Sequence, residues 1–301
     1  MGVFLGIDTS NYTTSMALCD GSAVLKNEKM LLPVKEGERG LRQSDAVFAH
    51  VNQLHLLAER IGRQHVEAIG VSVKPRDVER SYMPCFKVGE SFARSLGSLL
   101  GVPVYEFSHQ TGHTVAAAYS ADAMHLLSEK TNVFHVSGGT TEILLCDNLN
   151  IKTIGETLDL NAGQAIDRTG VLLGLRFPCG PALEELAMCG SLPERPKICV
   201  NGLTCNLSGL ENKVAGLIRK GVKKEDVALY ALKFVEMTLD RLTDNLRNEY
   251  DLPIIYAGGV MSNKMIKNTL AKRSDTYFAE SKYSSDNAAG IALLAAMKHT
   301  K

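Results

Sequence analysis

The chain has 301 residues, 45% of them hydrophobic, and 33 acidic and 33 basic side chains that balance to zero net charge. That length and apolar content predict a globular protein of one large domain or two ordinary ones, each with a real core. The charge balance excludes a global field that recruits nucleic acid, so such a partner would need a local patch. Lys220, Lys223 and Lys224, or Lys264, Lys267, Lys272 and Arg273, would supply one, although each cluster also reads as a solvated face.

The cysteines Cys19, Cys85, Cys146, Cys179, Cys189, Cys199 and Cys205 form a dispersed, odd set without a C-x-x-C pair. They argue against a disulfide framework or zinc knuckle and fit reducing cytosol. The start Met-Gly-Val-Phe-Leu-Gly-Ile-Asp enters a strand pattern without a basic leader, and no apolar run reaches the roughly eighteen residues of a membrane span. A cytoplasmic chain, neither secreted nor inserted in a membrane, is expected.

In chain order, periodicity predicts strands near Val3–Asp8, Ser15–Cys19 and Ala23–Asn27, a helix at Asp45–Ile61, a strand at Ala68–Val73, a helix at Lys87–Leu100 and a strand at Val102–Phe107. A helix follows from Thr111 to Ala121. The second half begins alike, with strands at Asn132–Val136, Glu142–Cys146 and Ile151–Ile154. It continues through helices at Ala162–Leu173, Pro181–Met188 and Asp226–Glu249, strand Ile254–Tyr256, helix Asn263–Arg273, strand Thr276–Phe278 and helix Asn287–His299.

The stretch Thr13-Thr-Ser-Met-Ala-Leu-Cys-Asp20 resembles Thr140-Thr-Glu-Ile-Leu-Leu-Cys-Asp147, at an offset of 127 residues. So long a period predicts two copies of one α/β domain rather than a solenoid. The expected fold class is therefore α/β, with two duplicated RNase H-like lobes of the actin, sugar-kinase and heat-shock ATPase plan. Residues 1–107 are expected to form the first lobe, and 108–301 the second, with a helical insertion at about 160–250. A metal and nucleotide site is expected in the cleft between them.

His109 and His113 stand four residues apart where the strand Val102–Phe107 hands over to a helix, so both imidazoles share one helix face, close enough for a single cation. A solvated helix face is the alternative for the pair alone. Ser137-Gly138-Gly139-Thr140 and Gly258-Gly259 follow apolar strands and are places where backbone N–H groups can meet phosphate oxygens. A cation site together with phosphate loops points to nucleotide chemistry.

Seven ordered motifs carry a resemblance that spans essentially the whole chain. They are Ser108-His-x-x-x-His113, Val136-Ser-Gly-Gly-Thr-Thr-Glu142, Gly155-Glu-Thr-Leu-Asp159 running through Asp167, Leu172-Leu-Gly-Leu-x-x-Pro-x-Gly-Pro181, Leu207-Ser-Gly-Leu210, Ala257-Gly-Gly-Val-x-x-Asn263 and Ser285-Asp-Asn287. Together they resemble the tRNA threonylcarbamoyladenosine transferases, formerly called O-sialoglycoprotein endopeptidases. The resemblance implies a divalent metal, Fe2+ or Zn2+, on His109, His113 and Asp286, with His135 as a further ligand or else a core histidine bonded to a backbone carbonyl. It also implies an adenine nucleotide or adenylate substrate. Ser137, Gly138 and Gly139 would approach its phosphate, Asp167 and Gly180 the ribose or threonyl end, and Gly258, Gly259 and Asn263 the nucleotide from the second lobe.

The implied reaction moves the threonylcarbamoyl group from threonylcarbamoyl-adenylate to the N6 amine of adenosine 37 in tRNA, with partner subunits of the modifying complex, no membrane, and no nucleophilic serine, cysteine or lysine. The endopeptidase label lacks support, because no H-E-x-x-H arrangement accompanies the histidines.

The chain also departs from the resemblance. Asn11-Tyr12-Thr13-Thr14 replaces an acidic Cys-Asp-Glu-Thr, Lys74 to Pro84 replaces a glycine-rich loop, and Leu160, Gln164 and Glu211 stand where Asp, Glu and Lys are usual. Three readings follow: a divergent working transferase, a paralogous metal-dependent nucleotide enzyme with another carbamoyl or phosphoryl acceptor, or a non-catalytic partner subunit. Retention of His109, His113 and Asp286 argues against the last.

Overall fold

The computed structural model describes residues 2–10, 13–33, 41–284 and 287–300. The chain divides into two compact units, Met1–Ser120 with Lys282–Lys301, and Ala121–Ser281.

The first unit runs β1 (Phe4–Ser10), β2 (Thr13–Cys19), β3 (Val24–Leu31), α1 (Gln43–Ile61), β4 (Ala68–Lys74), α2 (Phe86–Leu100), β5 (Val104–Ser108) and α3 (His109–Ser120). Its sheet has the order β3-β2-β1-β4-β5, antiparallel across the first three strands and parallel from β1 to β5. Every residue of β1 and β2 is buried. These strands therefore read as continuous runs rather than alternating ones, as expected where both sheet faces are covered. On one face Leu54, Leu57 and Ile61 of α1 and Ala93 of α2 pack with Ile7, Met16, Leu18, Ile69 and Val71.

The second unit runs β6 (Lys130–Val136), β7 (Thr141–Asp147), β8 (Asn150–Glu156), α4 (Ala162–Leu172), α5 (Gly180–Ala187), β9 (Cys199–Asn201), β10 (Thr204–Asn206), α6 (Gly209–Arg219), α7 (Lys224–Glu249), β11 (Ile254–Ala257), α8 (Lys264–Leu270) and β12 (Thr276–Phe278). Read from one edge, its main sheet is β8-β7-β6-β11-β12, the strand order of the first sheet again. The duplication expected from the offset of 127 is thus present in the topology. The core of this unit lies between that sheet and α4 to α7, where Phe134, Ile143 and Tyr256 meet Leu183, Leu210, Tyr230, Val235 and Leu239.

After α9 (Ser281–Ser284) comes α10 (Ala289–His299). The expectation placed α3 and this terminal helix in the second lobe, whereas both belong to the first unit. The reason is packing. α10 is buried without interruption from Ala289 to Ala296, which marks a core helix. Its backbone lies so close to β1 that a Cβ on Gly6 would meet the carbonyl of Ala288 and come within 2.5 Å of the Ala292 nitrogen. Gly290 lies equally close to Gly112 of α3.

The region expected as a helical insertion also contains the β9–β10 hairpin, with Thr204 opposite Asn201 and Gly202 at φ 56° in the turn. The helix expected at Asn263–Arg273 is shorter, because Asn263 caps it from outside: its side-chain oxygen accepts from Ile266 N at 3.1 Å.

Candidate functional site

In the first unit, β5 passes directly into α3, and Ser108 caps the helix by accepting from Thr111 N at 3.1 Å. This handover puts His109 in the first turn and His113 one turn on, with ring centroids 4.3 Å apart and their Nε2 atoms 2.9 Å apart. The predicted shared face is realised. His109 Nδ1 lies 3.1 Å from Asp8 Oδ1. Asp8 itself is fully buried at the end of β1, where Ser10 Oγ donates to its Oδ2 at 2.6 Å and Ser72 Oγ of β4 donates to its Oδ1. Burial pushes the Asp8 pKa up, but His109 and the donated hydrogen bonds outweigh it and hold the carboxyl below the ordinary aspartate value.

The loop after β4 is fastened to the same helix. Asp77 Oδ2 accepts from Ser108 Oγ and from Thr111 Oγ1, each at 2.8 Å, and Lys74 Nζ is 3.0 Å from Asp77 Oδ1. Behind β2, His50 is fully buried, with Nδ1 2.8 Å from Thr14 Oγ1. Thr14 donates its one hydroxyl proton to Gln53 Oε1 at 2.7 Å, so His50 donates from Nδ1 and is left with its lone pair on Nε2. Burial pushes its pKa down to about 4, against an opposing pull from Asp8.

Asp286, the expected third ligand, falls outside the described residues, as do Asn11 and Tyr12 of the changed first loop. Among the described residues no set of three or more His, Cys, Asp and Glu side chains is arranged to hold a metal ion. His109 and His113 supply a convergent pair.

In the second unit, His135 lies on β6 with Nδ1 3.8 Å from Glu142 Oε1 on β7. Ser137 to Thr140 form the tight turn between these strands. Ser137 N donates to Thr140 O at 2.7 Å, and Ser137 Oγ accepts from Gly139 N and Thr140 N at 3.2 and 3.1 Å. A Cβ on Gly138 or Gly139 would meet nothing within 4 Å, so the turn presents open backbone. Gly163 of α4 packs on it, donating its N–H to Ser137 O at 3.0 Å.

Gly258, at φ 100°, folds the end of β11 against the Val136 carbonyl, while Gly259 faces open space. Asp167 of α4 accepts from Cys179 N at 2.7 Å, which seats Gly180 beside it, and burial raises the Asp167 pKa despite that bond. One turn into α5, Glu184 Oε1 accepts from Lys264 N at 2.6 Å next to Asn263. The Lys264 and Ile266 N–H groups at the start of the seven-residue α8 are therefore met within the protein. A pocket of about 320 Å3 opens beside Asp167, walled by Val171, Leu172 and Phe177 and rimmed by Arg168 and Glu211.

Asp8, Ser72, Asp77 and Glu184 were not singled out from the sequence. Asp8 had a signal, an acid closing the apolar run Phe4–Ile7 at a strand end, where open α/β sheets place their sites.

Solved structures share this fold over the whole chain. The (R)-2-hydroxyglutaryl-CoA dehydratase component A of Acidaminococcus fermentans superposes with a TM-score of 0.60 at 16% identity, covering 100% of both chains. A ROK family glucokinase from Streptomyces griseus gives 0.57 at 14% identity, covering 98% of this chain and 100% of that one. The chain has the duplicated α/β fold shared by the actin-like ATPases and sugar kinases.

Sequence narrows the class. The profile of the tRNA N6-adenosine threonylcarbamoyltransferases matches residues 55–293. The tRNA N6-adenosine threonylcarbamoyltransferase of Nanoarchaeum equitans is 30% identical over 304 residues, covering 96% of this chain and 92% of that one. That of Caldicellulosiruptor saccharolyticus is 29% identical over 311 residues, covering 96% and 90%. The chain belongs to the tRNA N6-adenosine threonylcarbamoyltransferase family, a family of transferase enzymes.

Proposed function

We propose that this chain transfers the threonylcarbamoyl group of threonylcarbamoyl-adenylate to the N6 amine of adenosine 37 in tRNA, using a divalent cation, Fe2+ or Zn2+, on His109, His113 and Asp286. The observation that carries the reading is the convergence of the two Nε2 atoms at 2.9 Å, with His109 anchored from behind by a buried carboxylate. That donor chemistry fits a cation, since metal-ligating histidines commonly give their other ring N–H to a carboxylate. The chemistry such a cation supplies when bound is Lewis-acid polarisation of the carbonyl or neutralisation of the departing phosphate.

The protein's own groups do the rest. In this reading the Ser137–Thr140 turn receives the phosphate, whose oxygens replace the long bonds from Gly139 N and Thr140 N to Ser137 Oγ. Asp167 and Gly180 hold the ribose or threonyl end, and Gly258, Gly259 and the Asn263 amide border the nucleotide. The amine nitrogen forms a bond to the carbamoyl carbon, the tetrahedral oxyanion collapses, the bond from that carbon to the phosphate oxygen breaks, and the departing AMP phosphate takes up the proton the amine gives up. No covalent enzyme intermediate is needed. tRNA and the partner subunits of the modifying complex are the proposed partners, in reducing cytosol, and cysteines that form no disulfide among the described residues agree with that setting. No described helix is long and apolar enough to cross a membrane.

The test is incubation of the purified chain with tRNA and threonylcarbamoyl-adenylate, with and without the partner subunits. Modified adenosine is expected from the wild type and not from His109→Ala with His113→Ala. Absence of product under every condition, with nucleotide and cation still bound, would favour a related enzyme with another acceptor, the reading that the altered loops at 11–14 and 74–84 support. Restoring acids through Tyr12→Asp with Thr13→Glu is expected to speed transfer.

A further inference from the structure

We propose that Asp8 is a positioning residue that holds His109 in the Nδ1–H tautomer and thereby presets its Nε2 lone pair beside His113, a role that rests on the cation reading above. Asp8 is fully buried, and its carboxylate takes Ser10 Oγ on one oxygen and Ser72 Oγ on the other. An ionised carboxylate only accepts, so the His109 nitrogen 3.1 Å from Oδ1 must carry the hydrogen. A neutral imidazole protonated on Nδ1 has its acceptor on Nε2, the atom that faces His113 Nε2 at 2.9 Å.

The two histidines therefore differ. Without a cation, the contact between them is a hydrogen bond donated by His113 Nε2–H. Cation entry requires His113 to present Nε2 as a lone pair and move its proton to Nδ1, while His109 changes nothing. Asp8 does this from the sheet rather than from α3: β1 supplies Asp8 and β4 supplies Ser72, so the ring orientation is referred to two adjacent strands, both buried at these positions.

The experiment reads the tautomer and the affinity separately. Long-range 1H–15N correlation spectra of the cation-free wild-type chain are expected to show His109 protonated on Nδ1. Zn2+ affinity, measured by chelator competition, is expected to fall about 10- to 100-fold in Asp8→Leu, which keeps the bulk and removes the acceptor. Asp8→Asn, which keeps an oxygen acceptor for the His109 N–H, is expected to recover most of that loss.

His109 protonated on Nε2 in the wild type overturns the proposal without any substitution. So does a folded Asp8→Leu variant with wild-type Zn2+ affinity and an unchanged His109 tautomer. A wild type that takes up no Zn2+ yet shows the Nδ1–H form overturns the cation reading and leaves the hold of Asp8 on His109 standing.

Discussion

Asp8 of β1 and His135 of β6 occupy matching places in the two sheets. Asp8 stands opposite Ser15 of β2, and His135 opposite Glu142 of β7. On the other side, Val71 pairs with Ile7, so Asp8 adjoins Ser72, whereas His135 pairs with Ala257. In the first sheet the neighbouring strand offers a hydroxyl that joins a closed set of hydrogen bonds, and in the second it offers a methyl group. One backbone plan has been given different work: the first copy buries a charged anchor behind a histidine pair, and the second turns open glycines toward its sheet ends.

The same comparison holds for packing. Gly6 and Val133 match under the offset of 127, and Gly6 lies directly beneath the backbone of α10. Giving the first sheet the residue of the second, Gly6→Val, is expected to cost about 3 kcal/mol or more, because a carbonyl and a helix nitrogen cannot yield as a side chain does. Urea unfolding measures this, and a loss below about 1 kcal/mol would show that α10 shifts freely.

His50 sharpens the contrast, since it sets a neutral imidazole with no Nε2 partner among the described residues behind the first sheet. Its pKa, pushed down to about 4, lies below the unfolded value of 6.5. The stability it confers is therefore fully present above pH 6.5 and is lost as pH falls toward 4, by up to about 3 kcal/mol. Unfolding measured at pH 7.5 and 4.5 is expected to show that loss in the wild type and much less of it in His50→Gln.

Ser72→Ala makes the first sheet resemble the second at the hydroxyl itself. It should destabilise by about 1–2 kcal/mol, since a buried carboxylate loses one donor, while Ala257→Ser changes stability less. Equal effects of the two substitutions in thermal unfolding would remove the distinction.

The smallest effect belongs to the second unit. Asp159 accepts from Leu207 N at 2.7 Å, Leu160 N at 2.6 Å and Ser208 Oγ at 2.5 Å. Burial raises its pKa, but these bonds prevail and pull it down to about 2. Its contribution is present above pH 3.8 and declines toward pH 2. Because the group is largely solvated, Asp159→Asn is expected to cost roughly 1 kcal/mol, read from denaturation at pH 7.

The duplication was legible because β2 and β7 keep a shared string of residues, and the histidine pair because four residues make one helical turn. α6 was missed although Leu210, Val214 and Leu217 are its buried face at helical spacing, and the β9–β10 hairpin although Asn201-Gly202 is a turn signal. Asp8 and Ser72 were a different kind of miss. Their meeting depends on parallel pairing of strands 64 residues apart, which no local period reports. The return of α10 to the first sheet is equally non-local, and only the small residues at 288–296 hinted at a close seat.

Asp77 ties two separate stretches of the chain into one inheritable unit. Its carboxylate is shared by Lys74, Ser108 and Thr111, so the loop after β4 and the start of the histidine helix cannot drift apart in sequence. A lineage that replaces Asp77 leaves two hydroxyls and an ammonium group to be accommodated at once. Changes at 74, 77, 108 and 111 should therefore travel together among descendants of this chain, while the exposed residues between them vary freely.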